Sequence, residues 1–80
     1  MIVLEDSIKR IISEITYLSI DEIQSEDMLK SLGIDSLLLV ELIITIEEVF
    51  NITFDQSDLN PERLITVKSI VDLAIKNIRR

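Results

Sequence analysis

The sequence has no cysteine, no histidine and no tryptophan, and only one glycine and one proline in 80 residues. Without cysteine there is no disulfide, no cysteine-based zinc site and no thiol nucleophile. Without histidine there is no Ser–His or Cys–His catalysis and no imidazole metal ligand. Aromatic residues make up just 4% of the chain, so the core must be aliphatic. The longest apolar runs, Met1–Leu4 and Leu37–Val40, are four residues each, far short of the roughly 20 that span a bilayer. The opening Met1-Ile2-Val3-Leu4-Glu5-Asp6 lacks the basic flank and long apolar stretch of a secretory leader. Cations are few: 8 Lys and Arg face 15 Asp and Glu, for a net charge of −7. Such a surface repels a nucleic-acid backbone. The expectation is one domain spanning residues 1–80, monomeric and cytoplasmic, with neither nucleic acid nor membrane as partner.

The charge is unevenly spread. Residues 1–60 carry 13 acids and 3 bases, whereas residues 61–80 carry 2 acids and 5 bases. The acidic portion attracts basic partner surfaces and speeds encounter with them. Acidic side chains also serve simply to keep a small protein in solution.

Periodicity predicts an all-α chain. Leu4, Ile8, Ile11, Ile12, Ile15 and Leu18 form one helical stripe, giving a first helix over about 2–17. Residues 18–35 lose the period and are rich in turn formers, yet they contain Ile20, Ile23, Met28, Leu29, Leu32 and Ile34. A loop this long with this many hydrophobes packs down on the core, and such loops are often functional. A second helix is expected from Ser36 to Phe50, with Asp35 as N-cap and Asn51 as its stop. A short helix is expected at 60–65, where Asn60 caps and Pro61 takes the first helical position. Thr66 then caps a last helix with Val67, Ile70, Val71, Ala74, Ile75 and Ile78 on one stripe. The result is a small antiparallel bundle of three main helices and one short one, with a long first loop.

On a wheel of the second helix at about 100° per residue, Leu39, Leu42, Ile43, Ile46 and Phe50 share the core arc. Glu41, Thr45 and Glu48 share the solvent arc, flanked by Leu38 on one side and by Leu37 and Ile44 on the other. Val40 and Glu47 lie between the flank and the core. Aliphatics beside exposed acids suggest a docking surface, unless the loop or the last helix covers them. Ser36 stands at the start of this helix in Leu32-Gly33-Ile34-Asp35-Ser36-Leu37. A helix N-terminus favours a phosphate there. Asp-Ser at a helix start is also ordinary capping. Ser36 has no histidine to act as its base, and Lys30 is the only basic residue in the loop. Catalysis by Ser36 itself is therefore disfavoured. Asp21-Glu22 and Glu26-Asp27 lack the ligand alternation and central Gly of an EF-hand.

Leu32-Gly33-Ile34-Asp35-Ser36-Leu37, followed by Val40-Glu41-Leu42 and Glu47-Glu48-Val49-Phe50, resembles the acyl carrier protein family. The likeness covers essentially the whole chain and extends to the helix order, the long loop and the Thr66-Val67 opening of the last helix. It implies an acyl-carrier fold and a carrier without catalysis of its own. It further implies that Ser36 is the site at which a phosphopantetheinyl transferase attaches 4′-phosphopantetheine from coenzyme A with Mg²⁺. The arm's thiol then carries acyl or aminoacyl groups as thioesters. By the same resemblance Asp35 is the acid beside the attachment serine. Leu37, Glu41, Ile44, Glu47 and Glu48 match the partner-docking helix, to which the wheel adds Leu38. Val40 and Ile46 match positions bordering a groove that shelters an acyl chain. The implied partners are acyl-loading and condensing enzymes with basic and apolar docking patches.

The departures from the fatty-acid carriers point elsewhere. Leu38 stands where those carriers usually have an acid, Leu39 where they have Thr, and Val49 where a third acid is common. Residues 60–67 look more like free-standing carriers of polyketide and nonribosomal peptide pathways. A housekeeping fatty-acid carrier, a D-alanyl or other aminoacyl carrier, and an unmodified helical adaptor remain alternatives at this point.

Overall fold

The computed structural model describes residues 3–60 and 62–78. Three α-helices carry the fold: α1 (Val3–Thr16), α2 (Ser36–Phe50) and α3 (Val67–Ile78). Among the described residues there is no β-strand, only an isolated bridge between Met28 and Thr66. Ile8, Ile11 and Ile12 of α1 pack with Leu42, Ile43 and Ile46 of α2 and with Val67, Ile70, Val71, Leu73 and Ala74 of α3 in one aliphatic core. The expected stripes supply nearly all of these residues. At the end of α3 the stripe drifts: Leu73 and Asn77 are buried and Ile78 is exposed. Asn77 is accommodated because its Nδ2 donates to the Leu73 carbonyl at 2.9 Å, which satisfies a polar group inside the core.

The first helix ends at Thr16, one residue earlier than the periodicity predicts, and residue 2 lies outside the described region. Tyr17 adopts the left-handed conformation, φ 64°, and its N–H still donates to the Ser13 carbonyl at 2.8 Å. Its side chain is 94% exposed.

The long loop is ordered and packed down, as its hydrophobes require. It contains two 3₁₀ turns, Ile20–Glu22 and Leu29–Leu32, and it buries Ile23, Leu29 and Ile34. Ser19 and Glu22 cap the first turn reciprocally. The loop's backbone also completes α3. Val67 N–H donates to Asp27 O at 3.0 Å, Lys68 N–H to Ser25 O at 2.9 Å and Leu29 N–H to Ile65 O at 2.8 Å. Thr66 and Ser69 add a reciprocal box, with Ser69 N–H on Thr66 Oγ1 and Thr66 N–H on Ser69 Oγ. The first three amides of α3, which a helix cannot bond internally, are therefore all satisfied.

The short helix is misplaced in the sequence reading. Residues 62–63 form a turn, with Arg63 and Leu64 N–H on the Asn60 carbonyl and Glu62 N–H on Asn60 Oδ1. The short helical element is instead the 3₁₀ turn Gln56–Asp58, which Asp55 caps by accepting from Ser57 N–H. Asn60 caps as expected, but it closes a single turn. Pro61 lies outside the described residues.

Candidate functional site

Ser36 stands at a corner built by the loop. Gly33 ends the second 3₁₀ turn at φ 86°, a left-handed conformation that strains any residue with a Cβ. No atom lies within 4 Å of where that Cβ would be, so backbone conformation alone calls for glycine here. Gly33 N–H donates to Lys30 O and Ile34 N–H to Leu29 O, and buried Ile34 anchors the turn to the core. Asp35 is then extended, and its Oδ1 accepts from Leu38 N–H at 2.9 Å. This cap starts α2 at Ser36. The serine is exposed, and among the described residues nothing engages its hydroxyl. The amides of Ser36 and Leu37 stay open at the positive end of the helix.

Two apolar clefts meet at this serine. The loop-side cleft, about 810 Å³, lies between Met28, Ile34 and Ile65, with exposed Lys30 and Glu62 at its edge. The second, about 480 Å³, runs along α2 past Val40, Ile44 and Glu47 to Phe54 and Leu59. A phosphodiester on Ser36 fits this corner. It would meet open amides and the helix dipole, and a flexible arm leaving it would find apolar walls on either side.

The outward face of α2 carries Leu37 (78% exposed), Val40 and Ile44 at i, i+3, i+7, beside exposed Glu41 and Glu48. Val49 is exposed too. Neither the loop nor α3 covers this face. Two residues expected on it do other work. Leu38 is half-buried and packs against the core. Glu47 is half-buried, and its Oε2 accepts from Phe54 N–H at 2.9 Å. Its carbonyl accepts from Asn51 and Ile52 N–H at the left-handed Asn51 cap. Glu47 thus pins the following loop to α2. Of the two groove residues, Val40 lines the α2 cleft, but Ile46 is 0% exposed and faces the core. The α2 wheel foretells its buried side; Met28, Leu64 and Ile65, which wall the clefts, sit in aperiodic segments that give no such signal.

Comparison with known proteins shows the family. The family described as "Phosphopantetheine attachment site" matches residues 6–74. An acyl carrier protein of Desulforapulum autotrophicum is 39% identical over 70 residues, covering 85% of this chain and 88% of that protein. One from Buchnera aphidicola is 42% identical over 69 residues, covering 85% of each. The non-reducing polyketide synthase dbaI of Emericella nidulans is 43% identical over 56 residues, which is 70% of this chain and 2% of that protein. No helix among the described residues is long and apolar enough to cross a membrane. The chain belongs to the acyl carrier proteins: it is a carrier without intrinsic catalysis, bears covalently attached 4′-phosphopantetheine, and works with a phosphopantetheinyl transferase and acyl-handling enzymes.

Proposed function

We propose that Ser36 is the attachment residue and that the chain carries acyl or aminoacyl intermediates in a polyketide or nonribosomal peptide pathway. The carrying observation is the corner itself: an exposed serine at the capped start of α2, beside open amides and two apolar clefts. In the loading step the Ser36 Oγ–P bond forms as the pyrophosphate P–O bond of coenzyme A breaks and the nucleotide leaves. No histidine exists here to take the serine proton, and it passes to a base on the transferase. Once attached, the arm's thiol supplies the thioester chemistry. Asp35 holds the serine in place through its cap on Leu38 N–H.

Leu37, Val40, Ile44, Glu41 and Glu48 form the docking face, apolar enough for greasy partner patches and acidic enough for basic ones. The pathway assignment is supported by exposed Val49 where fatty-acid carriers often have an acid, and by the likeness to a segment of a polyketide synthase. The test is intact mass before and after incubation with coenzyme A, Mg²⁺ and a phosphopantetheinyl transferase. The expected result is one added phosphopantetheine that is absent in Ser36→Ala. A gain that persists in Ser36→Ala, or no gain with a cognate transferase, overturns the assignment.

A further inference from the structure

Three lysines of this acidic chain pair with carboxylates: Lys9 with Glu5 at 3.2 Å, and Lys68 with Asp72 and Lys76 with Asp58 at 3.0 Å each. Lys30 differs. It is exposed, and among the described residues its ammonium has no carboxylate within ion-pair distance. Among those residues it is also the one cation lining either cleft at Ser36.

The loop fixes the backbone of Lys30 relative to the serine. On one side Leu29 is buried, and its N–H donates to Ile65 O at 2.8 Å. On the other, Gly33 N–H donates to Lys30 O at 3.1 Å and Ile34 N–H to Leu29 O at 3.0 Å, with Ile34 buried. Lys30 and Ser36 then line the same cleft, together with the carboxylates of Asp35 and Glu62. A phosphodiester on Ser36 adds a negative charge next to Asp35. Like charges at such range repel, and the start of a helix offsets only about half a unit of charge. Lys30 supplies the counter-charge.

We propose that Lys30 is a positioning residue for the attached arm: its ammonium pairs with the phosphodiester on Ser36 and holds the root of the arm over the loop. The proposal rests on the reading of Ser36 as the attachment residue. It concerns only the phosphate end of the arm, which is bonded to Ser36 and stays beside the side chains that line the same cleft. Lys30 lines the loop-side cleft and not the α2 cleft. The pairing therefore draws the arm's first bonds away from Leu37, Val40 and Ile44 and leaves that exposed face clear for partners.

The experiment compares native protein, Lys30→Gln and Lys30→Arg, each unmodified and after loading from coenzyme A, with loading confirmed by intact mass. The readouts are the phosphorus NMR shift of the arm and the change in thermal midpoint on loading. Both are taken at low salt and at about 1 M salt, where the screening length falls to about 3 Å. At low salt, loading lowers the midpoint of Lys30→Gln by about 2–4 °C more than that of native protein, and the phosphorus resonance differs between the two. Lys30→Arg, which keeps the charge, follows native protein. In high salt the midpoint difference closes. Identical phosphorus shifts in native protein and Lys30→Gln, or midpoint changes that do not differ, overturn the pairing.

A second measurement needs no variant. Side-chain nitrogen NMR of native protein should show the Lys30 ammonium resonance moving on loading, while those of Lys68 and Lys76, already paired, stay in place. Slower loading of Lys30→Gln with an unchanged arm signal puts Lys30 in the transferase contact instead and overturns the pairing. Failure of native protein to load at Ser36 overturns the carrier reading and the pairing with it. A loaded native protein whose Lys30 resonance does not move overturns the pairing alone.

Discussion

Glu47 has the right charge and the right helix for partner docking, but its carboxylate is held by its own chain. Replacing it with alanine leaves Phe54 N–H without an acceptor, at a residue whose side chain is buried. Loss of the partner of such an amide costs about 1–3 kcal/mol. Glu47 is half-buried and water can reach part of the site, so the lower half applies, about 1–2 kcal/mol. For a domain of this size each kcal/mol moves the thermal midpoint by about 4–8 °C, so a drop of roughly 5 °C or more is expected. Glu48→Ala is the matched control, because it removes the same charge from the next residue, which is exposed. It should change stability by less than about 0.5 kcal/mol. Urea denaturation and thermal melts of the unmodified proteins measure both, and amide exchange at Phe54 should speed up only in Glu47→Ala. Equal stability of the two variants, with unchanged Phe54 exchange, refutes the pinning role and returns Glu47 to the docking face.

Tyr17→Gly should stabilise the fold by about 0.5–1 kcal/mol, because it relieves a left-handed tyrosine whose side chain loses almost no contact; Tyr17→Ala, which keeps the strain, should be close to neutral in the same urea titration. Gly33→Ala should cost about 1–2 kcal/mol from backbone strain alone, since the added Cβ meets nothing; a neutral result in denaturation refutes the reading of Gly33. Ser25 Oγ donates to Glu5 at 2.7 Å and Lys9 pairs with it at 3.2 Å, and together they hold the Glu5 carboxyl below the ordinary range, Ser25 first. A depressed folded pKa stabilises above the unfolded value of about 4.3 and is lost as pH falls through the lower folded value; Ser25→Ala should therefore lower stability at pH 6 and make little difference in strong acid. Glu48→Lys should slow transferase loading, and added salt should slow native protein likewise; loading rates indifferent to both would remove the electrostatic part of the docking face.

What the sequence made legible follows from period and capping. The aliphatic stripes of α1 and α2, the Asp35 cap, the Asn51 stop and the Thr66 cap are local rules, and the structure obeys them. The segment at 51–65 was less legible. Asn60-Pro61 is a sound helix opening, but only a turn forms at 62–63, because Leu64 must bury and Leu29 N–H takes the Ile65 carbonyl. Tertiary contacts of that kind leave no periodic trace. Glu47 shows the same limit at the site: its helical position predicts solvent, whereas the returning chain supplies a donor seven residues on. Leu38 also defeats the wheel, because a core partner covers a position placed beside the polar arc.

The pairing of residues 25–29 with 65–68 joins parts of the chain roughly 40 residues apart. Contacts of such sequence separation are costly to close early, and so they form with the fold as a whole. The corner that presents Ser36 is the far end of that same loop. A nascent chain that has not yet delivered α3 has the serine but not the geometry around it. On the proposal that Ser36 is the attachment residue, loading is expected to follow completion of the fold rather than precede it.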